Sequence, residues 1–145
     1  MFDVQGGPMA LSFLAAADFS DKRGYAVTIS AANTVAIASS AGVTVAGILL
    51  DEPAAAGRAA AVAWSGKVQA KAGSGGFTAG DLVKVNASGL IVTASKAVTN
   101  TSDGGSATDP LIGSYVIGQA IETAAENEFG YILLTHAGAV ATTAA

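Results

Sequence analysis

The chain has 145 residues, a length typical of one domain that can bury a core. Its seven basic and eleven acidic residues give a net charge of −4, and only 12% of the sequence is charged. The basic residues are scattered, which argues against binding a phosphate backbone. Cysteine is absent, which excludes disulfides, thiolate nucleophiles and cysteine metal sites. Because so few charges are available to cover the surface, we expect part of it to be buried in an assembly.

Residues 1–17 are predicted to form an N-terminal arm. Ala10–Ala17 is rich in helix-forming Ala and Leu, but it is too short for a stable isolated helix. Two interpretations stay open: a frayed terminus, or an arm that docks on a neighbouring subunit. Met9–Ala17 has the length of a signal-peptide core, but Asp3 rather than a basic residue precedes it. No apolar run reaches the roughly 20 residues of a membrane-spanning helix.

Strand patterns begin after this arm. Residues 25–30 alternate between apolar and small or polar side chains, and residues 35–37 start a second strand. Val43–Leu50 is a continuous apolar run, which predicts a strand covered on both faces. Asp51–Gly57 contains a proline and a glycine, which favours a loop.

The clearest alternation lies in residues 62–71 and predicts a half-buried strand. Its apolar face holds Val62, Trp64, Val68 and Ala70, and its polar face holds Ser65, Lys67, Gln69 and Lys71. Trp64 has two interpretations, packing in the core or forming a hot spot in an interface.

Ala79–Ala94 is predicted to be a β-hairpin. Leu82–Val85 and Leu90–Thr93 are its strands, and the turn Asn86–Gly89 ends in a glycine that tolerates the left-handed conformation. The glycine-rich segment Ala72–Gly80 precedes a hairpin instead of a helix and lacks a Lys-Ser/Thr pair, which argues against a phosphate-binding loop.

The second half of the chain continues the strand pattern. Leu111–Thr123 predicts a strand in which Gly113 and Gly118 mark bends or bulges. Ala124–Glu128 is the predicted turn, and Phe129–Thr135 is the predicted last strand.

A polar loop, Asn100–Pro110, precedes this segment. Asp103 and Asp109 are the acids that a calcium ion would need, but two carboxylates without further oxygen ligands at loop spacing are more typical of a solvated loop.

Seven to nine strands with short turns predict an all-β fold, a compact β-barrel or sandwich-like (β-tulip-like) single domain with an extended arm and little helix. The predicted divisions are the arm at 1–17, a β-rich domain at 18–136 and a flexible tail at 137–145.

No catalytic, metal or cofactor site is predicted. His136 is the only histidine and lies at the end of the last predicted strand. The paired carboxylates, Asp51-Glu52 and Glu126/Glu128, lie in predicted turns, where charge ordinarily serves solubility.

Four segments between Asp18 and Thr135 resemble, in their order and spacing, the small decoration or cement proteins of tailed-bacteriophage capsids. They are DFSDKRGYAVTI, VTVAGILLDEPAAAGRAAAVAWSGKVQAKAG, FTAGDLVKVNASGLIVTA and YVIGQAIETAAENEFGYILL. The resemblance implies a β-rich trimer, made in the host cytoplasm, that lies on the outer surface of the virion. It implies that the partner is the major capsid protein, whose adjacent subunits the trimer holds together. It implies no catalysis and no nucleic-acid, membrane or small-molecule partner.

On this hypothesis we predict two sets of contact residues. The capsid contacts are Phe2, Val4, Leu11 and Phe13 of the arm. The subunit-interface residues are Val45, Ile48, Leu50 and Trp64.

Two other function classes stay open. A module that binds a host receptor or glycan would present Trp64, Tyr25, Tyr115 and Tyr131 together on an outer face. A lipoyl-like carrier module would need a lysine at a hairpin tip, whereas Lys71 and Lys84 lie in or beside predicted strands.

Overall fold

The computed structural model describes residues 7–94 and 115–139. Within these ranges the protein is all-β, with nine strands in one sheet and no helix, which confirms the predicted fold class. The strands are β1 (Met9–Ala15), β2 (Ala26–Ala31), β3 (Thr34–Ile37), β4 (Gly47–Leu49), β5 (Ala59–Lys71), β6 (Leu82–Val85), β7 (Ile91–Thr93), β8 (Tyr115–Ala120) and β9 (Phe129–Ala139). Among the described residues there is no helix that could cross a membrane.

The first five strands form a closed group. They pair in the order β1-β3-β2-β4-β5, and β1 then pairs antiparallel with β5, so the strands return on themselves. The β1–β3 pairing is parallel, and the other pairings are antiparallel. The interior side chains of this closed group form one core cluster of Ala15, Phe19, Val27, Val35, Leu49, Ala60 and Val62.

The second group continues from β5 in the order β5-β9-β8-β6-β7. A bridge between Ala72 and Ile91 brings β7 back to the end of β5, where the Gly73 amide also donates to the Ile91 carbonyl at 2.8 Å. The second group therefore closes as well, around the larger core cluster that includes Phe77, Ile117 and Ile132.

β5 belongs to both groups, and its side chains change sides along its length. Val62 packs in the core of the closed group, whereas Val68 and Ala70 pack in the core of the second group. Gly66 lies between them with φ +95°, a left-handed conformation that only glycine adopts readily. The single apolar face predicted for residues 62–71 is therefore divided between two cores.

The predicted hairpin is confirmed as β6 and β7. The Asn86 side-chain oxygen accepts hydrogen bonds from the amides of Ser88 (2.9 Å) and Leu90 (3.0 Å), which fixes the turn. Gly89 has φ +82°, as predicted for this position. Its carbonyl accepts from the Ala26 amide at 2.8 Å, so the turn also ties the second group to the closed group.

Two local predictions differ from the structure. Residues 9–15 form strand β1 and not the short helix that the Ala and Leu content of Ala10–Ala17 would favour, so this part of the predicted arm is built into the sheet. Val43–Leu50 is not one continuous strand, because only Gly47–Leu49 pairs with neighbouring strands. The predicted loop Asn100–Pro110 lies outside the described residues.

Candidate interaction surface

The outer side of β5 and β9 carries large side chains exposed to solvent. Phe129, Tyr131 and Leu133 are 39%, 37% and 40% exposed, while the alternate residues of β9 are buried. In the antiparallel register Lys71 lies opposite Phe129, and Lys67 lies opposite Leu133. Directly opposite residues of a sheet share a face, so lysines and apolar rings form one surface.

Cations on this surface stack over aromatic rings. The Lys67 Nζ lies 4.6 Å from the centroid of the Tyr131 ring. The Lys71 Nζ lies 5.7 Å from the Tyr25 centroid and 5.9 Å from the Phe129 centroid. Contacts of this kind are worth about 0.5–1 kcal/mol at exposed sites, enough to favour these positions of the lysine side chains.

The loop before β2 adds two more cations. Lys22 lies 4.8 Å from the Tyr25 centroid, and the Arg23 guanidinium lies 5.1 Å from the Phe129 centroid. Gly24 holds this loop against the sheet, since its carbonyl accepts from the Lys71 amide at 3.0 Å. A Cβ at Gly24 would lie 2.7 Å from a Phe129 ring carbon, so only glycine allows this approach. We call the four cations and three rings the cationic face: Lys22, Arg23, Lys67, Lys71, Tyr25, Phe129 and Tyr131.

The cationic face concentrates positive charge in an acidic protein. It holds four of the seven basic residues of the chain. Among residues 7–94 and 115–139, no carboxylate forms an ion pair with these four side chains. The nearby Glu122 carboxylate instead accepts from the Tyr131 amide at 2.8 Å, and that of Glu128 accepts from the Ala125 amide at 2.8 Å.

An apolar row continues from this face across the second group. Leu133 lies opposite Gln119 of β8, and Gln119 lies opposite Leu82 of β6, which is 40% exposed. The face therefore combines cations with apolar side chains that would gain from being covered.

A second cluster surrounds His136. The ring Nδ1 lies 2.8 Å from the Tyr115 hydroxyl, and the Nε2 lies 2.6 Å from the Trp64 carbonyl oxygen. His136 has φ +49° and lies in an irregularity of the β8–β9 pairing, where Val116 faces Gly138 but Gly118 faces Leu134. The cluster thus joins β5, β8 and β9 at the point where the ladder is interrupted.

The hydrogen bonds of the cluster assign its protons. A carbonyl oxygen only accepts, so the Nε2 of His136 carries a hydrogen and donates to Trp64. In the neutral ring Nδ1 then accepts from the Tyr115 hydroxyl. The Tyr115 hydroxyl is protonated at neutral pH and can donate, and burial raises its pKa further above the ordinary value of 10.0. With both nitrogens engaged, His136 acts as a structural connector in this arrangement.

The predicted capsid-contact residues lie in different environments. Leu11 is 54% exposed on β1, and Phe13 is partly buried against the core of the closed group. Phe2 and Val4 lie outside the described residues.

The predicted subunit-interface residues do not form one surface. Val45 and Ile48 are 4% and 0% exposed and pack in the core, which leaves them almost no surface to offer a second subunit. Leu50 is partly buried against the same core. Trp64 is 38% exposed, so its interpretation as a core residue is wrong, and its role in an interface stays a prediction.

A shallow groove lies beside β2 and β4. It is lined by Thr28, Ile29, Ser39, Ser40, Val43, Thr44, Val45 and Ala46. Its polar groups are hydroxyls without a neighbouring base from the lining, an arrangement that does not activate a nucleophile. Among the described residues no three His, Asp or Glu side chains lie together as a metal site would require.

Comparison with solved structures finds chains of similar fold. The chain is similar to the N-terminal base of the head fiber protein gp8.5 of bacteriophage phi29, with a TM-score of 0.58 and 15% identity. The match covers 92% of this chain and 98% of that chain. No family model and no curated protein matches the sequence. At this identity the likeness shows a shared fold over almost the whole chain.

Sequence reasoning missed the cationic face because its parts are distant in the chain. Phe129–Thr135 is predicted as the last strand, and large apolar side chains occur on both of its faces: Phe129, Tyr131 and Leu133 on one, Ile132 and Leu134 on the other. A strand with two apolar faces, one of them beside lysines of a neighbouring strand, is the signal that indicates an exposed binding surface. The contribution of Lys22 and Arg23 depends on how their loop folds back, which the local pattern does not encode.

Proposed function

We propose that this protein is a structural component of a bacteriophage virion that binds the outer surface of the capsid and stabilises the mature head. The observation that carries the proposal is the fold, which is similar to that of a phage head-fiber base over 92% of the chain. The sequence resemblance to capsid cement proteins between Asp18 and Thr135 supports it independently. In this role the protein acts by binding, without catalysis, and its partner is the major capsid protein.

The stabilisation follows from linkage. A ligand that binds only the assembled shell stabilises it by RT ln(1 + [L]/Kd), which is about 2.7 kcal/mol for each site at a hundredfold excess over Kd. A homotrimer, as the resemblance implies, would bind several capsid subunits at once and raise the effective concentration of each contact. Holding adjacent subunits in this way opposes their separation.

The test uses mature heads, lacking this protein, from the phage that encodes it. The purified protein should sediment with these heads to a saturating, repeating stoichiometry, and the decorated heads should release DNA at a higher temperature than bare heads. Immature shells serve as a control, because the protein is proposed to bind the mature arrangement of capsid subunits. Absence of the protein from the pelleted heads would refute the proposed function.

A receptor- or glycan-binding module is the second candidate. Tyr25, Phe129 and Tyr131 share the cationic face, and exposed aromatic rings are typical of ligand-binding surfaces. However, the Tyr115 ring contacts His136, and among the described residues no cation or ring contact links Tyr115 or Trp64 to these three rings. Binding of the isolated protein to host cells, lost when Tyr131 is replaced by alanine, would favour this candidate.

A further inference from the structure

We propose that the cationic face is the docking surface for an acidic, apolar segment of a partner protein. This inference rests on the proposed function and deepens it, since it assigns the chemistry of the capsid surface that the protein would meet. Leu11 and Phe13, which the sequence predicts to contact the capsid, do not belong to this face.

The first argument is charge complementarity. Removing the four cations of the face leaves three basic residues against eleven acidic ones in the rest of the chain. The four cations contact rings, and within the described parts of the chain they have no carboxylate partner. Ring faces attract cations but do not neutralise their charge, so an approaching carboxylate can gain a charge-assisted contact without displacing an existing ion pair.

The second argument is the apolar content of the face. Phe129, Tyr131, Leu133 and Leu82 are each between 37% and 40% exposed along the same side of the sheet. Covering such side chains contributes about 25 cal/mol for each Å² removed from water. A peptide segment supplies apolar side chains for this purpose, whereas a nucleic-acid or sulfated-glycan backbone supplies mainly anionic groups. The overall charge of −4 also opposes the approach of a polyanion.

The third argument is spacing. Lys67 and Lys71 are four residues apart on one strand, which is about 13 Å at a rise of 3.3 Å per residue. Tyr131 and Leu133 lie beside them on β9. A complementary segment in extended conformation has two acids separated by three residues, with apolar side chains between them.

The test uses a synthetic peptide in which two glutamates flank three apolar residues, and a matched peptide with glutamines in their place. Amide shifts in NMR spectra of the ¹⁵N-labelled full chain should map the glutamate peptide to β5 and β9. The glutamine peptide should bind at least fivefold more weakly, and the difference should shrink in 0.5 M salt, where screening shortens the range of charge interactions. Equal binding of both peptides, or shifts located elsewhere, would overturn the inference.

Variants carry the test to phage heads. Lys67→Glu and Lys71→Glu should each reduce binding to bare mature heads by about fivefold or more, whereas Lys67→Arg should keep it. Arg58→Glu is the matched control. Arg58 is exposed and lies outside the face, and its replacement by glutamate changes the charge by the same amount. If the unaltered protein does not bind heads, the proposed function fails. If the unaltered protein binds and both lysine variants bind as tightly as it does, the assignment of this face fails. If the lysine variants lose self-association and keep head binding, the occupant of the face is a second copy of this chain.

Discussion

Gly118 offers a sharp test of the β8–β9 contact that supports the second group. Sequence reasoning predicted a bend or bulge at this glycine, and the structure places it where the register of the two strands shifts. A Cβ at this position would overlap the carbonyl oxygen of Leu133 and would lie 2.9 Å from its carbonyl carbon. Both atoms belong to the backbone, so no side-chain rotation relieves the overlap.

The expected cost of Gly118→Ala follows from this geometry. Carbon atoms in contact prefer a separation of about 3.5–4.0 Å, and the carbonyl oxygen lies closer still, so β8 and β9 must separate locally by at least about 1 Å. Losing two ladder hydrogen bonds costs about 2 kcal/mol, and overpacking costs about 1–3 kcal/mol more. We therefore expect the free energy of unfolding to fall by about 3–5 kcal/mol, a large part of the about 5–15 kcal/mol of a typical domain.

Gly57→Ala is the matched control for this substitution. Gly57 has φ +85°, and a Cβ there would meet no atom within 4 Å, so this variant tests left-handed strain alone, which costs about 1–2 kcal/mol. Urea unfolding followed by far-UV circular dichroism measures both variants, with an unchanged slope showing that the comparison is valid. If Gly118→Ala destabilises no more than Gly57→Ala, the close approach of β8 and β9 is refuted.

Three further predictions concern local hydrogen bonds. Asn86→Ala removes the side-chain acceptor of the hairpin turn and should lower the free energy of unfolding in urea by about 1–2 kcal/mol; an unchanged midpoint would contradict the role of the turn. Burial raises the pKa of Tyr115, so the folded state keeps this proton above pH 10.0 where the unfolded chain loses it, and stability falls as pH rises through the folded pKa. Thermal melts of Tyr115→Phe should lack that part of the alkaline decline, whereas Tyr131→Phe should retain it. Hydrogen bonds from Ser20 lower the pKa of Asp18. The unaltered protein should therefore be more stable than Asp18→Asn above pH 3.8, and this difference should disappear as pH falls through the lowered pKa. Thermal melts across acidic pH measure the difference.

The local features of the fold were predictable because they are encoded by neighbouring residues. The hairpin strand Leu82–Val85 was predicted at its observed bounds, since alternating apolar residues and a turn that ends in glycine act over a few positions. The turn within Ala124–Glu128 and the start of the next strand at Phe129 were also predicted, but this strand continues to Ala139, beyond the predicted end at Thr135. Each of these patterns is satisfied by contacts close in sequence.

The predictions that failed depend on distant contacts. Residues 9–15 have the propensity of a helix, but they pair with β5 and β3, and tertiary pairing overrides local propensity. Trp64 was grouped with Val68 because simple alternation was assumed through Gly66. A single left-handed residue changes which side later residues face, and the sequence contains no local sign that this glycine acts in that way.

The candidate site shows the same division. Alternation correctly predicted that Lys67, Gln69 and Lys71 lie on the outer side of their strand. The rings that these lysines contact come from two other segments, and their positions follow from the β5–β9 register and from the loop that ends at Gly24. No short pattern could therefore have assembled the cationic face.

The closure of both strand groups bears on how this protein can bind a partner. An exposed strand edge can accept another strand through backbone hydrogen bonds, whatever its side chains. Here β1 pairs with β5 over Met9–Leu14 and with β3 at Leu14 and Ala15, and β7 is joined to the end of β5 through Ala72 and Ile91. Binding through a face instead depends on its side chains, and the cationic face combines charge and exposed apolar area on a sheet that Gly66 and Gly118 allow to form. Substitutions of its lysines therefore test recognition itself, separately from the integrity of the fold.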